Sequence, residues 1–196
     1  MITNGECATD RYPTAVALWP DTTVVNADLL AAKALVYDPC GFACTRPIPE
    51  AESAAYAAHS FTVDGRSIRF RVAKSTPTKV GQFVTVWKRS AGGHIEPFDV
   101  TDPVDLFVIS TRDRDQLGQF IFPVDVLRER GVVSVDGSAG KRAFRVYPPW
   151  VGTTNRQAAS AQVRKPGNWT TSYICGAMDR STPLVPECST AGRRST

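Results

Sequence analysis

The sequence has 196 residues, a length that favours a single folded domain. Apolar residues make up 42% of the chain and charged residues 21%, a composition that supports a packed core and excludes a wholly disordered protein. Five cysteines, of which only Cys40 and Cys44 are close in sequence, do not suit a small disulfide-rich scaffold, and no apolar stretch is long enough to span a bilayer. We therefore expect a soluble, cytoplasmic protein with no membrane partner. The formal net charge of +4 is too small to identify a partner by itself.

The chain is predicted to consist of one domain between two flexible tails. The tails cover residues 1–23 and 175–196, and the domain covers residues 24–174. An asparagine N-cap predicts a first helix over residues 27–37, and a proline followed by two glutamates predicts a second helix over residues 50–58.

From residue 59 onwards the apolar residues alternate, which is typical of strands. Asp64 and Gly65 form a two-residue turn signal and predict a hairpin of residues 60–63 and 66–74. Further strands are predicted at residues 82–89, 106–110 and 119–122, then a short helix at 124–130, a strand pair at 132–135 and 142–147, and a helix at 153–173. This order predicts an α+β domain with a mixed, mostly antiparallel β-sheet and flanking helices.

The charges are unevenly distributed along the chain. Residues 65–95, called here the cation-rich segment, contain seven Lys or Arg residues and no Asp or Glu. Alternation along the predicted strand at residues 66–74 places Arg69 and Arg71 on one face. The loop that follows, residues 75–81, adds hydroxyl groups, backbone amides and Lys79.

Positive side chains, hydroxyls and amides together bind phosphate oxygens without reading base sequence. We therefore predict a DNA- or RNA-binding protein that contacts the phosphate backbone and has no catalytic turnover. The predicted contact residues are Arg69, Arg71, Lys74, Thr78, Lys79, Gln82, Lys88 and Arg89.

An alternative interpretation is that these cations pair with carboxylates from other segments or cover aromatic surface. Acids follow the cation-rich segment at Glu96, Asp99, Asp102 and Asp105. Their three-residue spacing is interrupted by prolines and does not bring four oxygens to one point, so we interpret them as an acidic loop and not as a metal site.

Nucleophilic catalysis has little support in the sequence. The nucleophile-elbow motif, the phosphate-binding loop and the dinucleotide fingerprint are all missing. His59, His94, Cys40 and Cys44 are interpreted as structural residues, because none has a partner at catalytic or zinc-binding spacing. No cofactor is expected.

Several strings resemble the MepB family. They are FRVAKSTPTKVGQFVTVWKR at residues 70–89, Pro97-Phe98-Asp99, Asp102-Pro103, GQFIFP at 118–123 and GKRAFRVYPPW at 140–150. The resemblance covers about residues 50–173 and implies nucleic-acid binding, with no settled activity. It leaves out both tails and the first helix.

A weaker similarity is to the restriction-endonuclease-like fold, in which a metal-binding acid precedes a strand-ending lysine by two residues. Here Val72 and Val86 stand two residues before Lys74 and Lys88, so that acid is missing. A metal-dependent nuclease that uses Mg²⁺, with ligands such as Glu52, Asp99 or Asp105, remains an alternative. A module that binds a small anion or a protein partner is the second alternative.

The aromatic residues Tyr147 and Trp150 flank two prolines beside a basic strand. They could stack on unpaired bases, or they could close one end of the core, which burial statistics favour. Trp87 has the same two interpretations.

Overall fold

A computed structural model describes residue 19, residues 22–137 and 140–152, and the backbone of one strand at residues 172–177. The helices are α1 (Ala27–Ala32) and α2 (Val124–Glu129). The strands are β1 (Ile48–Pro49), β2 (His59–Val63), β3 (Arg66–Val72), β4 (Lys74–Thr76), β5 (Lys79–Thr85), β6 (Trp87–Arg89), β7 (Ile95–Pro97), β8 (Leu106–Asp113), β9 (Gln116–Pro123), β10 (Ala143–Val146) and β11 (Ser172–Ala177).

The largest sheet has six strands in the order β1-β2-β3-β8-β9-β11. The β3–β8 pair is parallel, and the other pairs of this sheet are antiparallel. The predicted α+β class with a mixed, mostly antiparallel sheet is therefore confirmed. The predicted hairpin is also present as β2–β3, and its turn residues Asp64 and Gly65 have φ of 48° and 78°, as a tight two-residue turn requires.

Apolar side chains pack on both faces of this sheet. On one face, Phe107 and Ile109 of β8 contact a cluster that includes Val84. On the other face, Val108 packs in a second cluster with Trp19. Trp19 lies in the predicted N-terminal tail and is 5% exposed, whereas most of that tail and all of the C-terminal tail beyond residue 177 lie outside the described residues. The alternation of β8 between two cores makes this strand the centre of the domain.

A second sheet has three strands in the order β10-β5-β4, and β6 and β7 form a separate pair. The predicted pairing of residues 132–135 with residues 142–147 is therefore wrong, since β10 pairs with β5. Val132 and Val133 point their apolar side chains into the core, and Ser134 makes an isolated bridge to Asp99. The predicted strand at residues 82–89 is divided into β5 and β6.

The helices predicted at residues 27–37 and 124–130 are present, the first as α1 followed by a π-helical turn and the second as α2. The Asn26 side chain accepts a hydrogen bond from the Asp28 backbone at 2.9 Å, as expected of an N-cap, but α1 continues as a π-helical turn, Lys33–Tyr37. The second predicted helix is wrong, because Ser53 and Ala57 have φ of 59° and 47° and leave only a 3₁₀ turn between them. The helix predicted at residues 153–173 lies outside the described residues, except for its end, where β11 begins.

None of the helices in the described part of the chain is long and apolar enough to cross a membrane.

Gly81 offers a direct test of the packing between β5 and β10. Its φ is +82°, and a Cβ atom there would lie 2.7 Å from the Tyr147 ring. Gly93 has a similar φ of +79° and open space around it. Gly93→Ala should lower the free energy of unfolding by about 1 kcal/mol, because alanine disfavours a positive φ. Gly81→Ala should be destabilised by about 1 to 3 kcal/mol more because of overpacking. Urea unfolding of both variants measures the difference, and equal losses would contradict the described contact.

Candidate nucleic-acid interface

The outer face of the three-stranded sheet brings cations and aromatic rings together. Phe83 of β5 stands opposite Lys74 of β4 on one side and opposite Arg145 of β10 on the other. Directly opposed residues of neighbouring strands point to the same side of a sheet. The two cations therefore flank one phenyl ring. We call this surface the β5 face, and it consists of Tyr56, Lys74, Gly81, Phe83, Arg145 and Tyr147.

The cations of the β5 face lie close to its aromatic rings. Tyr56 packs edge to face on Phe83, with ring centroids 6.2 Å apart. The Lys74 ammonium lies 5.1 Å from the Tyr56 centroid, and the Arg145 guanidinium lies 5.6 Å from the Phe83 centroid. Both distances are within the range of cation–π attraction. The positive charges are thus held over the rings while the Lys74 side chain remains exposed.

Arg145 is fixed by hydrogen bonds as well. Its Nη1 donates to the Gly81 carbonyl at 3.1 Å, and its Nη2 donates to Thr76 Oγ1 at 2.7 Å. These bonds orient the guanidinium without neutralising it. Beyond it, Thr78 and Lys79 are exposed in and next to the turn between β4 and β5.

Within the described ranges, no carboxylate pairs with Lys74, Lys79 or Arg145. The β5 face and the adjoining Lys79 turn therefore present three cations whose charges are not locally compensated.

The predicted contact residues Arg69 and Arg71 are placed differently. Glu50 forms an ion pair with each of them, with Oε1 3.1 Å from Arg69 Nη1 and Oε2 2.7 Å from Arg71 Nη2. Arg71 is 1% exposed, and burial lowers the pKa of its guanidinium while Glu50 opposes that change. In this conformation Arg71 cannot touch a phosphate, which corrects the expectation from strand alternation.

Gln82 is also buried, at 2% exposure, and its Nε2 donates to the Arg112 carbonyl at 2.9 Å. It points inward because its neighbours Phe83 and Gly81 occupy the outer face of β5. Gln82 is therefore not a surface contact residue, and the expectation for it is wrong.

Lys88 and Arg89 of β6 each lie near a carboxylate. Lys88 contacts Asp102 at 2.5 Å and Glu96 at 3.4 Å. Arg89 lies 5.6 Å from the Trp87 centroid, and its Nε is 3.8 Å from Glu52. The Arg89 side chain is still 50% exposed, so only Lys88 is closely neutralised.

The acids considered as metal ligands stabilise loops. Asp99 accepts hydrogen bonds from the Thr101 and Gly137 backbones and from the Ser134 hydroxyl. Asp105 accepts from the Ser67 backbone at 2.7 Å. In the part of the chain that the structure describes, no three His, Cys, Asp or Glu side chains converge to hold a metal ion.

The histidine and cysteine environments agree with structural roles. The ring of His59 is 4% exposed and lies between the carbonyls of Ala57 and Val24. Cys44 is a free thiol, and burial raises its pKa to about 11, so the unreactive protonated form dominates at neutral pH.

Arg145 is a candidate contact residue that the sequence analysis did not include among the predicted contacts. Ala143, Arg145 and Tyr147 alternate with the apolar Phe144 and Val146, which does indicate a polar outer face. That pattern could not show which strand lies beside β10, and the pairing with β5 places Arg145 opposite Phe83.

Together these features define a mixed α+β domain with a cationic, aromatic face on its smaller sheet. The chain belongs to the MepB-like family, whose family model matches residues 50–172. A solved crystal structure of MepB is similar to this chain, with 29% sequence identity and a TM-score of 0.60. The match covers 70% of this chain and 91% of the MepB chain. No curated protein matches the chain. The resemblance to the MepB family is confirmed.

The family match starts at Glu50, so α1 lies outside it. Asp28 of α1 pairs with Arg112 of β8 at 2.6 Å, and the Tyr37 hydroxyl donates to Gln119 of β9 at 2.9 Å. These two contacts attach the N-terminal part to the family region.

Glu50→Ala should strongly destabilise the fold. The substitution leaves the Arg71 guanidinium buried without its carboxylate, a change that costs about 3 kcal/mol. Glu129→Ala, at an exposed position near the end of α2, should change stability by no more than about 0.5 kcal/mol. Chemical denaturation compares the two variants. Equal stabilities would show that the Glu50 ion pairs do not hold the fold.

Asp99 should contribute to acid sensitivity. Hydrogen bonds from Thr101, Gly137 and Ser134 hold the pKa of this carboxyl well below its usual range. The stabilisation is complete above the unfolded pKa, about 3.9, and is lost as the pH falls below it. Asp99→Asn should therefore be less stable than the wild type at pH 7, and the gap should narrow at pH 3. Urea unfolding at both pH values measures it, and a constant gap would refute this assignment.

Proposed function

We propose that this protein binds nucleic acid along its phosphate backbone through the β5 face and the adjoining Lys79 turn. The observation that carries the proposal is the grouping of Lys74, Lys79 and Arg145 without carboxylate partners in the described part of the chain. Phosphate contacts of this kind supply most of the affinity of non-specific binding. Thr78 adds a hydroxyl at the same turn.

The geometry supports backbone contact more than base reading. Arg145 is oriented by Gly81 and Thr76 before any ligand arrives, which reduces the entropy lost on binding. Tyr147 is partly exposed beside Gly81, where its ring could stack on an unpaired base. The face therefore suits a single strand or a duplex edge.

We propose binding without turnover. The oxygens of Asp99, Asp102 and Asp105 already accept hydrogen bonds from the loops that contain or contact them. Their structural use supports the interpretation of these acids as a loop-stabilising set.

The salt dependence of binding tests the proposal. Three phosphate contacts on a duplex give a slope of log affinity against log salt of about −2.7 or steeper. Lys74→Gln with Lys79→Gln should make the slope shallower by about 1.8, equally for oligonucleotides of different sequence. Fluorescence anisotropy at several salt concentrations measures both quantities.

The matched control is Arg66→Gln with Arg128→Gln, which removes the same charge at the opposite end of β3. Arg66 is the first residue of β3. Arg128 lies on α2, which directly follows β9. The end of β9 pairs with the start of β8, and the start of β8 pairs with the first half of β3. This control should leave the slope unchanged. No measurable binding at low salt, or equal losses in the two double variants, would refute the proposal.

A further inference from the structure

Residues 50–58, called here the 50–58 segment, lie across the arginines of the cation-rich segment. Glu50 contacts Arg69 and Arg71, and Glu52 lies 3.8 Å from Arg89. The segment thus places two carboxylates on three guanidiniums that were expected from the sequence to contact phosphate.

The same segment also covers part of the β5 face. Its Tyr56 packs on Phe83, and its Ser53 hydroxyl lies 3.2 Å from the Thr85 hydroxyl. The segment therefore touches both the buried arginines and the exposed cationic surface.

The segment is a loop that lies outside the strands of the six-stranded sheet. It is closed at its base by the β1–β2 pair, with Pro49 opposite His59, and by the Glu50 backbone N–H, which donates to the Ala58 carbonyl at 2.8 Å. Ser53 and Ala57 are held at positive φ, a conformation that costs free energy for residues other than glycine. Residues of this loop are mostly alanines and bury little apolar area.

The arginines under the segment have unused donors. The Nε atoms of Arg69 and Arg71 are buried and have no hydrogen-bond partner among the described residues. A nucleic-acid phosphodiester carries the same single negative charge as a carboxylate, and its two non-bridging oxygens can accept charge-assisted hydrogen bonds from guanidinium groups. A phosphate in place of the Glu50 carboxylate could satisfy donors that Glu50 leaves unpaired.

We propose that the 50–58 segment is an internal anion that competes with the phosphates of a bound nucleic acid for Arg69, Arg71 and Arg89. The segment covers these arginines in the free protein and swings away when a polyanion binds. This inference rests on the proposed function, since the β5 face provides the first contacts. Binding then recruits the three arginines in addition to Lys74, Lys79 and Arg145.

A reversible covalent lock tests the movement. Ser53→Cys with Thr85→Cys places two thiols where hydroxyls now stand 3.2 Å apart, so oxidation should hold the segment closed. The oxidised protein should bind duplex with a salt slope of about −2.7, and reduction should steepen the slope towards about −5.4 because up to three more phosphates are contacted. Fluorescence anisotropy on the same sample before and after reduction measures the change.

The matched control lock is Thr45→Cys with Thr62→Cys, a second pair of hydroxyls 3.2 Å apart but away from the arginines. Its slope should not respond to reduction, and neither should that of the wild type with its own cysteines. Equal slopes for the oxidised and reduced Ser53/Thr85 lock, with binding intact, would overturn the competing-anion proposal and leave the proposed function standing. No binding in either state would instead refute the proposed function.

Inorganic phosphate tests the anion competition without nucleic acid. Glu50→Ala removes the internal carboxylate, so phosphate ions should raise the melting temperature of this variant more than that of Glu129→Ala or the wild type. Adding Arg71→Met to Glu50→Ala should remove the extra response. Identical phosphate responses in Glu50→Ala and Glu129→Ala would overturn the proposal, whether or not the protein binds oligonucleotides.

Discussion

The carboxylate of Glu50, held between the guanidiniums of Arg69 and Arg71, determines how the rest of the basic surface is arranged. Arg71 is buried on the central sheet, where an unpaired charge would be costly. Glu50 must therefore lie close to β3, and the loop that follows it must cross the strands that carry the other cations. Through that loop, Tyr56 is brought onto Phe83 and beneath Lys74. One buried ion-pair cluster thus positions part of an exposed face.

Some cations of residues 65–95 form ion pairs with carboxylates and others do not. Carboxylates from residues 50–52 and 96–102 contact Arg69 and Arg71 of β3 and the two cations of β6. Lys74 and Lys79 lie on the smaller sheet, which those acids do not reach, and Arg145 joins them from β10. Lys74, Lys79 and Arg145 therefore form a local group of cations without a carboxylate partner in the described part of the chain.

Local patterns predicted the parts of the fold that depend on neighbouring residues. The Asp64-Gly65 hairpin, the Asn26 cap and the short helix after Pro123 follow from turn and capping chemistry. The partner of β10 and the burial of Gln82 depend on long-range pairing, which alternation cannot identify. The candidate site was likewise predicted only in part. Lys74, Thr78 and Lys79 are exposed as expected, whereas Arg71 faces the interior because both faces of β3 are covered.

Glu50 pairs with arginines about 20 residues later in the chain. A count of charges within residues 65–95 therefore could not show that Arg69 and Arg71 have an acidic partner. A window without acids suggests a free cationic surface, yet the fold supplies acids from outside that window. In the competing-anion proposal the same supply makes the surface adjustable, because Glu50 lies on a loop and not on a strand of the central sheet. Both Glu50 and the cations that it contacts lie within the MepB-like region. The ion pairs and the exposed face therefore belong to one structural unit, and the loop between β1 and β2 links them physically.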